Sequence, residues 1–228
     1  MIAVICALET ELKACLARCS QLIHVEDNTV LPHYRAELEG HQLVLCQSGI
    51  GKCHAAVSLS YLLCRYEIDE IINVGTAGGL QGFEEICDII IAKRCAYHDL
   101  HLDGNFHSDN APFRYDCDDQ LIENFSQVLN ELGYRHHIGL LVSGDQFVHR
   151  PEQFNKILHY YPDALATDCE SCSLAQTAAR FAKKILVIRS LSDICLRENA
   201  EDFYSYCKKA SERASAALQL YLRERSQH

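Results

Sequence analysis

Leu186-Val187-Ile188 runs as an apolar strand straight into Arg189-Ser190-Leu191-Ser192-Asp193. Open α/β sheets place their chemistry at the carboxyl ends of strands, and Asp193 stands at such an end. Ser192 and Arg189, just behind it, could hold its carboxyl group in one orientation. Near the start, Ala7-Leu8-Glu9-Thr10-Glu11 sets two carboxylates where a first strand passes into a first helix. One of them could act as a general base over a cleft. Both segments also have plain structural readings. Asp193 could cap the next helix, and Glu9 and Glu11 could simply complement a helix dipole.

Four further segments end strands in the same way. Gln47-Ser48-Gly49-Ile50-Gly51-Lys52 would let backbone N–H groups approach a ligand closely, although it lacks the spacing of a P-loop. Asn73-Val74-Gly75-Thr76-Ala77-Gly78-Gly79 reads as a strand ending in a Gly-rich turn, serving either a ligand or a tight turn with positive φ. In Val142-Ser143-Gly144-Asp145-Gln146-Phe147-Val148, Phe147 could stack on a planar base or pack in the core. In Asp168-Cys169-Glu170-Ser171, Glu170 could accept both hydroxyls of a ribose or serve as a helix-start carboxylate.

The elements that must position these residues alternate. Strands are predicted near 2–8, 31–39, 41–47, 70–75, 86–97, 137–143 and 184–191. Helices are predicted near 9–18, 52–65, 118–132, 151–159, 170–181 and 200–224. This alternation implies a three-layer α/β/α sandwich with a mixed, mostly parallel central sheet, the strands about Gly40 forming a hairpin. The 228 residues carry no linker or repeat and suit one domain spanning 1–228. A net charge of −10 with no basic run argues against a nucleic-acid partner. No apolar run reaches membrane-span length, and the short apolar start runs into Glu9 and Glu11 without a basic segment before it. The 13 cysteines are odd in number and irregularly spaced, which points to packing in a reduced cytosol rather than a disulfide framework. Cys169 and Cys172 form a lone C-x-x-C with no second pair at zinc spacing. The polar loop 98–117, with His98, Asp99, His101, Asp103, His107 and Asp109, follows no known ligand spacing. No metal and no organic cofactor are expected.

Each signal is modest, but their order along one sheet is specific. In Ala7 to Glu11, Ser48 to Lys52, Asn73 to Gly79, Tyr97-His98-Asp99, Ser143-Gly144-Asp145, Cys169-Glu170 and Arg189 to Asp193, the chain resembles the 5′-methylthioadenosine/S-adenosylhomocysteine nucleosidases of the nucleoside phosphorylase fold. The resemblance covers nearly the whole chain. It implies that Glu11 activates water and that Asp193, held by Ser192 and Arg189, protonates N7 of adenine. It implies that Glu170 binds the ribose hydroxyls, Phe147 stacks on adenine and the Val148 backbone meets the base edge. Ser48, Ile50, Thr76, Gly78 and Cys169 would line the same pocket, and Leu102 and Phe106 would close the 5′ pocket of a partner subunit in a homodimer. Cys169 and Asp168 stand where the family usually carries Met and Glu, and Thr76 where Ser is commoner.

The chemistry implied is coherent. Adenine leaves readily only once N7 is protonated, and the ribosyl carbon then gains oxocarbenium character. An acid on the base side and a carboxylate on the opposite sugar face then suffice for hydrolysis. Phosphorylases of this fold bind phosphate with arginines in the first loop and before the third-segment glycines. Here no Arg precedes Arg18, and Asn73 occupies the second position. Water is therefore the expected nucleophile. Aminodeoxyfutalosine or futalosine nucleosidase, purine nucleoside phosphorylase and a non-catalytic nucleoside binder remain alternatives.

Overall fold

The computed structural model describes residues 1–26, 31–100, 113–195 and 203–226. Ten strands and six helices occur among them: β1 (Ile2–Cys6), α1 (Glu9–Leu16), β2 (Ser20–Val25), β3 (His33–Leu38), β4 (His41–Gln47), α2 (Lys52–Arg65), β5 (Glu70–Gly79), β6 (Ile89–Tyr97), β7 (Arg114–Asp116), α3 (Asp119–Glu131), β8 (His136–Ser143), α4 (Pro151–Tyr160), β9 (Ala164–Asp168), α5 (Ser171–Arg180), β10 (Lys184–Ile194) and α6 (Phe203–Arg225).

All the predicted elements are present. The three strands that sequence reading passed over have local reasons. β2 is an exposed edge strand, β7 is three residues long, and β9 (Ala-Leu-Ala-Thr-Asp) has only one large apolar side chain. The sixth strand starts at Ile89 rather than 86, after Cys87 takes a positive φ of 69°.

The sheet is mixed. β4, β1, β5 and β10 run parallel, as do β6, β8 and β9 in a second set. Antiparallel pairing joins the sets twice, between β10 and β6 and between β5 and β9. The five strands β5, β10, β6, β8 and β9 thereby close into a ring, with β1, β4, β3 and β2 extending from β5. The β5–β9 pairing matters most for the site. It spans only Gly78–Thr167 and Gly79–Ala166, at the carboxyl ends of both strands. Ends that two antiparallel sets would otherwise hold apart are brought together there.

β1 and the stretches Ile71–Ile72 and Ile185–Ile188 are purely apolar, as strand segments buried on both faces require, and most of the polar side chains of β5 and β10 gather toward their carboxyl ends. β1 is wholly buried, and Ile71, Ile72, Val74 and Ile185 to Ile188 are nearly or fully inaccessible. Helices α1, α3 and α6 form one packed group and α2 with α5 another, flanking the sheet.

Candidate active site

Glu11 sits in the first turn of α1, yet it is buried. Its Oε2 accepts the N–H groups of Ala7 and Leu8 at 2.9 Å, satisfying donors that the helix start leaves open. Its Oε1 accepts the Thr76 N–H at 2.8 Å and the Thr76 hydroxyl at 3.1 Å, across the sheet on β5. These capping bonds and the Thr76 contacts fix the orientation of the carboxylate.

Asp193 lies near the end of β10. Its Oδ1 accepts the Ser192 hydroxyl at 2.8 Å. Burial pushes its carboxyl group above the ordinary carboxylate range, opposed by that hydrogen bond. Cys195 Sγ shares its surroundings. A Cβ added to Gly78 would lie 3.1 Å from both that sulfur and Asp193 Oδ2.

Arg189 does not hold Asp193, contrary to the sequence-based expectation. The reason is a bulge in β10: Arg189 pairs with Gly75 but Asp193 pairs with Gly78, the register shifting between Leu191 and Asp193. The extra residue turns the two side chains to opposite sides of the strand. Fully buried Arg189 instead binds Asp168, through Nε at 2.8 Å and Nη2 at 2.7 Å, and Asn73 Oδ1 at 2.8 Å. Asn73 is itself tied to the Ile5 carbonyl, and Asp168 also accepts from Ser143 and Ser171. Arg189 Nη1 has no hydrogen-bond partner among the described residues. It faces the same small volume as Glu11: a Cβ on Gly75 would collide with the guanidinium and lie 2.9 Å from Glu11 Oε1.

Glu170 accepts the Gly51 N–H at 2.9 Å and lies 3.9 Å from Arg189 Nη2. Burial, and then the Asp168 charge, push its carboxyl group up to about 7, against the pull of Arg189 and Gly51. A raised value has a definite sign in stability. Between the ordinary 4.5 and about 7 the folded chain holds a proton that the unfolded chain does not, so stability falls as pH rises through that window. Glu170→Gln should therefore gain on the native chain by up to about 3 kcal/mol between pH 4.5 and 8, read by urea unfolding at several pH values. It should also weaken nucleoside binding. A pH-independent difference would contradict the burial argument.

These groups open on one cavity of about 670 Å³. Glu11, Ile50, Thr76, Gly78, Phe147, Cys169, Glu170, Ser192 and Asp193 line it, together with Leu8, Lys52, His54, Asp145, Gln146 and Asp168. The size suits a nucleoside-sized ligand.

A family model for the phosphorylase superfamily matches residues 1–223. The 5′-methylthioadenosine/S-adenosylhomocysteine nucleosidase of Hydrogenovibrio crunogenus is 34% identical over 215 residues, covering 92% of each chain. The chain belongs to the 5′-methylthioadenosine/S-adenosylhomocysteine nucleosidase family. Solved nucleosidase structures agree. That of Neisseria meningitidis, in complex with methylthio-immucillin-A, superposes with a TM-score of 0.90 over 98% of both chains at 28% identity. That of Streptococcus pyogenes, in complex with 5-methylthiotubericidin, gives 0.89 at 29% identity, covering 98% of this chain and 96% of that one.

In this nucleosidase fold three of the expected residues stand behind the cavity wall rather than on it. Ser48 bonds the carbonyls of Cys6 and Gly49, Val148 is buried with its carbonyl 3.8 Å from Cys195 Sγ, and Arg189 supports Asp168. Leu102 and Phe106, and residues 101, 103, 107 and 109 of the polar loop, lie outside the described residues. Among the described residues no group of three His, Cys, Asp or Glu side chains could hold a metal ion.

The expected Gly-rich turn after Asn73 is instead strand, continuing to Gly79. Its glycines do not take positive φ; at Gly75 and Gly79 any side chain would strike Arg189 or Glu84. Gly49 and Gly51 do require it, at φ 85° and 99°. The Cys169 thiol, which contacts the Gln146 carbonyl at 3.8 Å, is pushed up to about 12 by burial and then by Glu170. It is a neutral wall of the cavity, not a nucleophile. Sequence reasoning assigned no role to Lys52, Asp99 or Asp145. Their motifs were visible, but the side-chain partners were not.

Proposed function

We propose that this chain, as a single domain, hydrolyses the N-glycosidic bond of 5′-modified adenosines, 5′-methylthioadenosine and S-adenosylhomocysteine, and releases adenine. One observation carries the reading: two differently held carboxyl groups, Glu11 and Asp193, enter one nucleoside-sized cavity from different elements, with the ribose-binding candidate Glu170 on the same wall. Asp193, favoured in its neutral form by burial, supplies the proton at N7. A base laid over it removes more of its solvent and acts in the same direction. Glu11, on the cavity wall, takes a proton from the attacking water. Glu170 binds the ribose hydroxyls and, in its ionised form, stabilises the oxocarbenium-like carbon. Phe147, 58% exposed on the cavity rim, gives adenine a stacking face.

Water is preferred to phosphate because Arg189 is buried and committed to Asp168 and Asn73, and Glu11 would repel a dianion. The reading includes a homodimer. Ile50 and Phe147, on the cavity lining, are both more than half exposed, and a second copy would cover them. The 13 free cysteines suit a cytosolic setting. No helix among the described residues is long and apolar enough to cross a membrane.

The test is adenine release by the purified protein from methylthioadenosine, S-adenosylhomocysteine and aminodeoxyfutalosine, with and without phosphate. Release independent of phosphate is expected from the first two. Strict dependence on phosphate would make the chain a phosphorylase. Tight analogue binding without release would make it a nucleoside binder.

A further inference from the structure

Helix α2 begins in an unusual way. Its N-cap is Gly51, which offers no side-chain acceptor, and its first residue is a lysine, whose charge opposes the helix dipole. Both deficits are met from other loops. Asp145, after β8, accepts the Lys52 N–H at 2.8 Å through Oδ1 and so caps the helix from a distance. Asp99, after β6, accepts Lys52 Nζ at 2.7 Å and, through the same Oδ2, the Asp145 N–H at 2.9 Å. Lys52 Nζ also lies 3.5 Å from Asp145 Oδ2 and 5.4 Å from the centre of the Tyr97 ring. The Lys52 carbonyl accepts the Ser173 hydroxyl of α5 at 2.6 Å.

The consequence is geometric. The turn at Gly51 and Lys52 donates to Glu170, the carboxylate assigned to the ribose. The loop begun by Asp145 continues into Gln146 and Phe147, the aromatic assigned to the base. Asp99 is the group that touches both the α2 start and the Asp145 backbone. Burial raises its carboxyl pKa, but Lys52 and the Asp145 N–H outweigh that and hold it below the ordinary value, so it stays charged near neutrality.

Resting on the proposed function, we infer that Asp99 is a positioning residue: through Lys52 and the Asp145 backbone it clasps the base-stacking loop to the ribose-binding turn and fixes the distance between them. It touches neither reacting atom. Its loss should therefore lower affinity for the base and leave the chemical step largely intact.

The experiment compares Asp99→Ala, Asp99→Asn and Lys52→Met with the native chain. Steady-state adenine release and calorimetric binding of free adenine are the two readouts. Asp99→Ala should raise KM about tenfold and weaken adenine binding in parallel, with kcat within about threefold, as expected when a charge-assisted hydrogen bond that acts equally on ground and transition states is lost. Asp99→Asn keeps an acceptor for the Asp145 N–H and should recover most of the affinity. Lys52→Met leaves that acceptor in place and should fall between the two. It also reads the clasp should Asp99→Ala not fold. The inference is overturned if Asp99→Ala binds adenine as the native chain does, if kcat falls while KM holds, or if Asp99→Asn is as impaired as Asp99→Ala. A native chain that binds adenine but releases none would sink the hydrolase reading while the binding series still tests the clasp. A native chain that does neither would overturn both.

Discussion

Replacing Asp193 with Asn should abolish turnover, lowering kcat by about 10² to 10⁴, the usual contribution of a positioned general acid. The amide preserves shape and still accepts the Ser192 hydroxyl that now reaches Oδ1 at 2.8 Å. It can donate a hydrogen bond toward N7 but cannot give up a proton as the bond to adenine breaks. Binding of a methylthioadenosine analogue should thus stay within a few-fold of native. Single-turnover adenine release beside calorimetric binding separates the two effects. The sign of the pH response follows from the same environment. Burial raises the Asp193 carboxyl, so the native enzyme loses its acid, and its kcat, as pH rises through that raised value. Turnover by Asp193→Asn within tenfold of native would remove Asp193 from the role.

Glu11→Gln should be nearly as costly, with kcat down by about 10² to 10⁴. This loss has two origins. The amide cannot accept a proton from water. It also cannot satisfy four donors at once: the N–H groups of Ala7, Leu8 and Thr76 and the Thr76 hydroxyl all point at the two carboxylate oxygens. One of those positions would become an NH₂ group facing an N–H, which costs stability as well as orientation. Glu11→Gln should therefore lower the melting temperature by several degrees, whereas Asp193→Asn should not. A native rate in Glu11→Gln would leave the water without a base, and another carboxylate, Glu170 first, would have to supply it.

The contrast between these two carboxyl groups shows how far the sequence could be read. The position of Glu11 was legible because its capping contacts are local. A strand end followed by a carboxylate in the first helical turn fixes the direction of the side chain within a few residues. Ser192 and Asp193 were legible for the same reason. Arg189 was not. Three to four residues from both, it was expected beside Asp193, and a single bulge placed it on the other side of β10, against Asp168 and Asn73. A bulge depends on what the partner strands present, here the glycines of β5, and no local pattern announces it.

The same division runs through the fold. Alternation of apolar strands with amphipathic helices was enough to place six helices and seven strands, because burial on both faces of a sheet and on one face of a helix leaves periodic marks in the chain. The order of the strand-end motifs, with the family resemblance they carry, singled out Glu11, Glu170 and Asp193, and the fold brings these three to one cavity. The tertiary structure decided the rest. It closed five strands into a ring through the two-residue pairing of β5 with β9, and it kept Gly75 to Gly79 extended where a turn was expected. It also let Asp99 and Asp145 complete the start of a helix that its own residues leave uncapped. Each of these depends on contacts between residues far apart in the chain, set by which groups must be buried or hydrogen-bonded together, and a one-dimensional pattern carries no record of which partner satisfies them.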